Sequence, residues 1–393
     1  MTTTLLTFLG RVPKTESGYR KTSYDFGDGS RSEPVAFFGW PLQKRIAADR
    51  LVIMGTAGSM WDHLFEGDIV FGEEAQDARW RLLEATEAKA VTADLLAPLQ
   101  QPLSERLGCE ARLVLIPYCR HEREQTELLS IMAQHVERGD TVHIDVSHGL
   151  RHLPMIALLA ALHLRVARDA KIGAIWYGAF DPDTNEAPVH NLVGLLRIAD
   201  WIQALHTYDK DGDYGVFSPL LGPAGELLGR AAFFERTTNS FKAREALSGW
   251  ASRKDRFLVD DPAAELFREE LEHRVRWHRQ PDRASWEKEL AKRYLEQGDY
   301  VRAAIYGLEA AISAQAIQSG ADVGDFGQRD SARDELKSSQ GFRTLNNLRN
   351  ALAHGVRPSD QAIERALKDE TNLRNALKRL LTQLLGLERK QGA

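Results

Sequence analysis

Near the C-terminus, the stretch GFRTLNNLRNALAHG sets Arg349, Asn350 and His354 within six residues: a permanent cation, an amide and an imidazole. That set suits phosphodiester cleavage. Histidine can take a proton from a ribose 2′-hydroxyl or return one to the leaving 5′-oxygen, arginine neutralises charge building on the phosphate, and neither step calls for a metal. The substrate implied is RNA. At about 100° per residue on a helix, Asn350 and His354 share a stripe, while Leu345, Leu348 and Leu352 form an apolar stripe on roughly the other side. Arg349 falls beside the leucines. A charge there is costly unless it is paired, reaches water along its stem or meets another chain. One helix is therefore an awkward site, and two copies facing each other across a dimer would assemble a better one. Taken alone, an R-x4-H spacing also fits a solvated surface helix, so its context has to decide.

That context begins with the elements that precede the motif. The first half alternates short apolar runs with amphipathic segments, the pattern of a doubly wound α/β domain. Strands are expected at 5–10, 51–55, 112–117, 141–146 and 170–177, and helices at 41–49, 79–100, 124–138 and 153–169. Residues 207–225, TYDKDGDYGVFSPLLGPAG, gather Gly, Pro and Asp and read as a linker. Beyond it the segments 226–250, 262–279, 284–297, 300–318, 341–354 and 359–387 read as helices of a bundle. Two domains are expected, 1–206 and 207–393. The alternating charges at 267–293 read as a solvated face with at most a weak hint of a phosphate-binding patch, and no internal repeat is evident.

In a doubly wound fold, ligands bind beyond the carboxyl ends of the strands, which directs attention to three segments. Gly10 and Arg11 lead into a Gly- and Tyr-rich stretch ending at Gly29, expected as a long loop above the sheet. Thr56, Ala57, Gly58 and Ser59 follow the second strand, where glycine lets the backbone approach a ligand and hydroxyls and N–H groups can take phosphate. The third glycine of a dinucleotide fingerprint is missing, so that reading is rejected. A generic anion loop and a tight turn before a helix remain equally open. In DVSHGLRH, Asp145 ends a strand, Ser147 and His148 follow, Gly149 frees the turn and Arg151 opens the next helix. This cluster favours an anion. A Ser/His/Asp hydrolase triad is rejected, because residues so close in sequence rarely adopt triad geometry and no G-x-S-x-G elbow is present. His143 reads as structural.

The 393 residues suffice for two domains with substantial cores. A net charge of −5 and a pI near 6.2 argue against a broadly basic protein that coats nucleic acid, leaving room for a local basic cleft. With only Cys109 and Cys119, neither a disulfide framework nor a cysteine-rich zinc site is expected, and a reducing, cytoplasmic setting is the default. The N-terminal apolar run lacks a basic start and reads as a buried strand instead of a signal peptide. No stretch approaches the length needed to span a bilayer.

With these segments in hand, the chain resembles the CRISPR-associated DxTHG-motif proteins, part of the CARF–HEPN ancillary ribonucleases of type III CRISPR systems. The resemblance covers nearly the full length. It rests on LLTFLGR with its Tyr-rich loop, on DVSHG at 145–149 and on RNALAH at 349–354. Residue 147 is Ser where the family motif has Thr, so the hydroxyl survives. The resemblance implies a Rossmann-like CARF domain at 1–206, dimeric about a two-fold axis and binding a cyclic oligoadenylate, followed by an all-α HEPN domain at 207–393 that pairs into one RNase site. Carried over by position, Arg349, Asn350 and His354 are the catalytic set. Gly10, Arg11, Thr56, Ala57, Gly58, Ser59, Ser147, His148, Gly149 and Arg151 are the ligand-binding positions. The activity implied is an allosterically activated, metal-independent endoribonuclease of antiviral defence. It would act on single-stranded RNA as a homodimer in the cytoplasm, with no cofactor and no membrane partner. Cyclic tetra-adenylate is placed ahead of hexa-adenylate as the activator. Two alternatives stand beside it: a non-catalytic sensor or adaptor, and a ribonuclease that also degrades its activator in the CARF pocket, with Ser147 or His148 positioning the 2′-hydroxyl.

Overall fold

The computed structural model describes residues 2–16, 18–65, 76–150, 152–253, 261–355 and 360–386. In the N-terminal part, seven strands form one sheet: β1 Thr3–Leu9, β2 Ser23–Asp25, β3 Arg50–Gly55, β4 Glu110–Leu115, β5 Thr141–Asp145, β6 Lys171–Gly178 and β7 Glu186–Asn191, in the order β2-β7-β6-β5-β1-β3-β4. The five expected strands are its parallel core, β6-β5-β1-β3-β4. The near-continuous apolar runs of β1 and β3 follow from burial on both faces. Leu5 and Leu9 of β1 pack on one side with Trp40 and Leu42 of α1 (Gly39–Ile46), Leu82 of α2 (Gln76–Glu87), Leu96 of α3 (Ala93–Leu96) and Leu103 of α4 (Gln100–Leu107). Leu6 and Phe8 pack on the other with Leu128 and Met132 of α5 (Glu122–Gln134) and Ile156 and Ala160 of α6 (Leu153–Ala167). Period-two alternation in one strand thus builds both layers of core.

Beyond α7 (Gly194–Asp211), the described residues contain no strand. They form α8 Gly225–Arg236, α9 Ser240–Ala251, α10 Pro262–Leu266, α11 Arg268–Val275, α12 Arg283–Gln297, α13 Tyr300–Gln318, α14 Phe326–Leu336, α15 Gln340–His354, α16 Gln361–Ala366 and α17 Glu370–Leu385. Side chains of Asp282, Asp299, Asp325, Ser339 and Asp369 accept from first-turn N–H groups and set where five of these helices begin. The core around α12 and α13 holds Leu290, Tyr294, Ala303 and Tyr306, joined by Leu345 and Leu348 of α15 and Leu377 and Leu381 of α17.

Several expectations are corrected. The compact units are Met1–Arg197 and Ile198–Ala393, a division nine residues before the expected 206/207, and both places fall inside α7. The expected linker is core: Tyr214 and Phe217 are fully buried within 3-10 turns, with the Asp213 side chain accepting from Gly215 N–H. Gly, Pro and Asp punctuate that segment, but the aromatics between them decide its burial. The single helix expected at 79–100 breaks at Lys89, whose φ is +53°, and the one expected at 226–250 breaks at Thr238, with φ +61°, before the Asn239 cap. The stretch after Gly10 contains a short ladder, Lys14–Thr15 with Gly18–Tyr19, and then β2 at the sheet edge, where a long loop was expected. The alternating charges at 267–293 are partly internal, because Arg283 and Arg293 pair with the buried Glu287 and Glu235. The sequence reading missed α7 and the polar α14, in which only Ala332 is buried.

Candidate functional site

The strand order reverses direction at β1. Its neighbour on one side, β3, follows next among the core strands, whereas its other neighbour, β5, arrives only after β4. The carboxyl ends of β1 and β5 therefore flank a topological switch point, where a doubly wound sheet opens a crevice. Gly10 and Gly149 meet there. A Cβ at residue 10 would lie 2.4 Å from the Gly149 nitrogen and 3.1 Å from its Cα, and Gly149 itself has a φ of +105°. The approach requires glycine at residue 10, and the left-handed backbone requires it at 149. Gly10 O also accepts from Met60 N–H at 2.9 Å, which draws the loop after β3 to the same point.

Asp145 supports this crevice from beneath. It is fully buried beside its register partner Thr7, whose hydroxyl donates to Oδ2 at 2.6 Å, and Oδ1 accepts from Ser147 N–H at 2.8 Å. Ser147 Oγ accepts from Gly178 N–H at 2.7 Å and so ties the loop to β6. His148 Nε2 accepts from Phe38 N–H at 3.1 Å and lies 3.2 Å from the Tyr24 hydroxyl. Asp145 thus engages Thr7 and Ser147, not His148, as expected once a hydrolase triad is rejected.

Burial pushes Asp145 up to about 6 against the opposing hydrogen bonds from Thr7 and Ser147, and pushes His148 down to about 4, with Arg20 adding to the effect. Between roughly pH 4 and 6, folded Asp145 keeps a proton that the unfolded chain releases, so its contribution lowers stability as pH rises. His148 has the opposite sign: the folded state refuses a proton that the unfolded chain takes, so stability is lost as pH falls through about 6.5 toward about 4. The two slopes nearly cancel. Asn at 145 keeps an acceptor for Ser147 N–H, and the Thr7 hydroxyl can turn to accept from its amide. Asp145→Asn is therefore expected to gain about 3 kcal/mol relative to the parent between pH 4 and pH 7, read from urea midpoints. A pH-independent difference would show that this carboxyl is not desolvated.

Above this floor are two adjoining hollows that share Arg11 and Gly149. One, of about 200 Å³, is lined by Arg11, Arg20, Tyr24, Ser147, His148 and Phe180 among others. The second, of about 270 Å³, includes Gly10, Thr56, Gly58, Ser59, Lys89 and Tyr118 in its lining. Among the described residues no carboxylate lines either, whereas Arg11, Arg20 and Lys89 supply cations. The Arg20 guanidinium stacks 3.6 Å from the Phe180 ring centroid, forming a planar cationic platform. The crevice has the chemistry of a phosphate- and base-binding site.

The structure brings Gly10, Arg11, Thr56, Gly58, Ser59, Ser147, His148 and Gly149 to these two hollows. Ala57 belongs to the same loop and its carbonyl accepts from Val91 N–H. The hydroxyls of Thr56 and Ser59 face each other at 3.3 Å, and Ser59 Oγ accepts from Thr56 N–H at 2.9 Å, so this segment satisfies itself as a tight turn. Arg151 lies outside the described residues. Sequence reasoning missed Arg20, Tyr24, Lys89, Tyr118 and Phe180. Arg20 and Tyr24 sit in the Tyr-rich stretch that had been singled out, while Lys89 was hidden in a helix expected to be continuous.

In the helical unit, α15 buries Phe342, Leu345 and Leu348 and ends where Gly355, at φ +61°, returns its N–H to Ala351 O. Arg349 is half-buried, with Nη2 donating to Asn346 Oδ1 at 3.1 Å. Asn350 is half-buried and His354, the last helical residue, is exposed. Residues five apart differ by about 140° around a helix and about 7.5 Å along it, so Arg349 and His354 of one copy do not present one face.

Residues 4–181 match the family model of the CARF domain of the CRISPR system endoribonuclease Csx1. CRISPR-associated protein MJ1674 of Methanocaldococcus jannaschii is 21% identical over 221 residues, covering 52% of this chain. The α/β unit is thus similar in sequence to a CRISPR-associated CARF domain. The matched residues hold the α/β unit whose crevice is described above, and an all-α unit follows. The chain spans about a third of the length of MJ1674. A solved structure of Enterococcus italicus Csm6 bound to cyclic hexa-2′-fluoro-hexa-dAMP aligns over 99% of this chain and 96% of that one, with 11% identity and a TM-score of 0.35, too low to carry residue correspondences. Among the described residues, no helix is long and apolar enough to cross a membrane.

Proposed function

We propose that this CARF–HEPN protein is a metal-independent endoribonuclease that cleaves single-stranded RNA in type III CRISPR defence when a cyclic oligoadenylate occupies the CARF crevice. The observation that carries this reading is Arg349, Asn350 and His354 at the open C-terminal end of α15, in the unit that follows a CARF domain. His354 acts as general acid or base while the ribose 2′-hydroxyl attacks the adjacent phosphorus. Arg349 stabilises the charge on the phosphate, and Asn350 holds an oxygen by hydrogen bonding. The products carry 2′,3′-cyclic phosphate and 5′-hydroxyl ends.

The 140° between Arg349 and His354 supports a site assembled from two copies. In the CARF domain, Met155, Leu159 and Val166 leave an apolar stripe on α6, directly after the Gly149 loop, at 68%, 58% and 84% exposure. A second copy related by two-fold symmetry would cover it and bring two crevices to one ring. Activation follows if the ring binds the active dimer more tightly than the inactive one.

The test is cleavage of a fluorogenic single-stranded RNA in EDTA, by the protein alone and with cyclic tetra-adenylate or cyclic hexa-adenylate, the former taken first. Cleavage that needs one ring is the expected result. Ring binding without cleavage would instead establish a sensor or adaptor, and inhibition by EDTA would overturn the mechanism.

A further inference from the structure

The helical unit contains the motif sequence twice. Residues 347–354 read NLRNALAH and residues 372–379 read NLRNALKR, a recurrence too short to register as a repeat unit. Both copies use their leucines for packing: Leu348 is 1% exposed in α15, and Leu373 and Leu377 are 8% and 0% exposed in α17. In the second copy Arg379 stands where the first has His354. A guanidinium stays charged and cannot carry a proton in and out, so this position can hold a phosphate but cannot perform acid–base chemistry.

The second copy borders a groove of about 470 Å³ between α16 and α17. Arg365 and Arg379 line it with Asn372 and Asn375, over Ala362, Ala366 and Ala376. Among the described residues no carboxylate lines it. Arg365 donates from Nε to Gln361 O at 3.2 Å, and neither its guanidinium nor that of Arg379 meets a carboxylate among the described residues. Elsewhere in this unit such partners are common: Arg274, Arg283, Arg293, Arg302 and Arg329 each pair with Asp or Glu. Two exposed guanidinium groups without counterions, amides beside them and a floor of small side chains match a polyanionic backbone: the cations meet phosphates, the amides bond sugar or base edges, and the alanines admit close approach.

We propose that the α16–α17 groove binds the phosphodiester backbone of the single-stranded RNA substrate away from the bond being cut. This rests on the reading of RNA as substrate given above. The groove sets affinity and the α15 end supplies chemistry.

The test uses the full chain carrying His354→Ala and a fluorescein-labelled 20-nucleotide single-stranded RNA, with binding followed by anisotropy over a range of NaCl concentrations. Adding Arg365→Ala and Arg379→Ala is expected to weaken binding about tenfold and to reduce the slope of log affinity against log salt by about 1.4, the release expected for two phosphates on a single strand. Arg365→Lys with Arg379→Lys keeps most of the slope. In the cleaving parent, the alanine pair raises KM for RNA about tenfold and leaves kcat within about twofold. Unchanged affinity and slope in a variant with parental circular dichroism would overturn the proposal. So would a loss of RNA affinity that only accompanies loss of self-association in sedimentation, since the groove would then be an interface between copies. An equal loss of cyclic tetra-adenylate binding would likewise overturn it. If the alanine pair weakens RNA binding while the parent never cleaves RNA, the groove stands and the nuclease reading fails.

Discussion

His354→Ala is expected to lower ring-stimulated RNA cleavage by about 10²–10⁴-fold, the range that a positioned acid–base group contributes. RNA affinity and ring affinity should stay within about twofold, because an exposed residue at a helix end removes little packing when truncated. Arg349→Lys should be nearly as damaging. Lysine keeps the charge but loses the planar fork that can bridge two phosphate oxygens, along with the geometry now held by Asn346. The check is a progress curve at saturating ring with EDTA present, together with the end groups of any product. Full activity in His354→Ala would move the chemistry off α15, and products with 3′-hydroxyl ends would point to attack by water instead of the neighbouring ribose.

Gly10→Ala is the second large effect. The new methyl carbon would sit 2.4 Å from the Gly149 nitrogen and 3.3 Å from the His148 carbonyl carbon. Each of these neighbours is backbone, so no side chain can rotate away. Overpacking of this kind costs about 1–3 kcal/mol, and here it parts the β1 and β5 loops at the floor of both hollows. Ring affinity should fall by about 10–100-fold, the equivalent of that energy in binding. Isothermal titration with cyclic tetra-adenylate and cyclic hexa-adenylate reads this directly. Parental affinity in Gly10→Ala would show that the ring does not use the switch point.

Much of the α/β unit was legible because its signals are local. The runs that became β1 and β3 are apolar and buried on both faces, and those that became β4, β5 and β6 are short, carry apolar residues and are bounded by Gly, Pro or Asp. β2 and β7 were not legible: Ser23–Asp25 and Glu186–Asn191 are short and polar, and they are strands because β6 offers an edge to β7 and β7 in turn offers one to β2. The helices of both units failed at their seams. Lys89 and Thr238 adopt left-handed backbone that only their surroundings select, and Tyr214 and Phe217 are core because helices distant in sequence close over them.

For the candidate site the division is similar. Residues that must be glycine, carboxylate or hydroxyl at a strand end are visible one at a time, so Gly10, Ser147 and Gly149 were named from spacing alone. The sequence by itself determined the order of the five core strands along the chain and the positions of their strand-end loops, and it placed Arg349, Asn350 and His354 on one helix, since periodicity and residue chemistry are local properties. The tertiary structure decided that Gly10 meets Gly149, that Asp145 faces Thr7 and Ser147, that Thr56 and Ser59 bond each other, and that Arg20 and Lys89 reach the hollows. The meetings of Gly10 with Gly149 and of Thr7 with Asp145 depend on strand order and register, which bring together residues more than a hundred positions apart, and no local pattern encodes them.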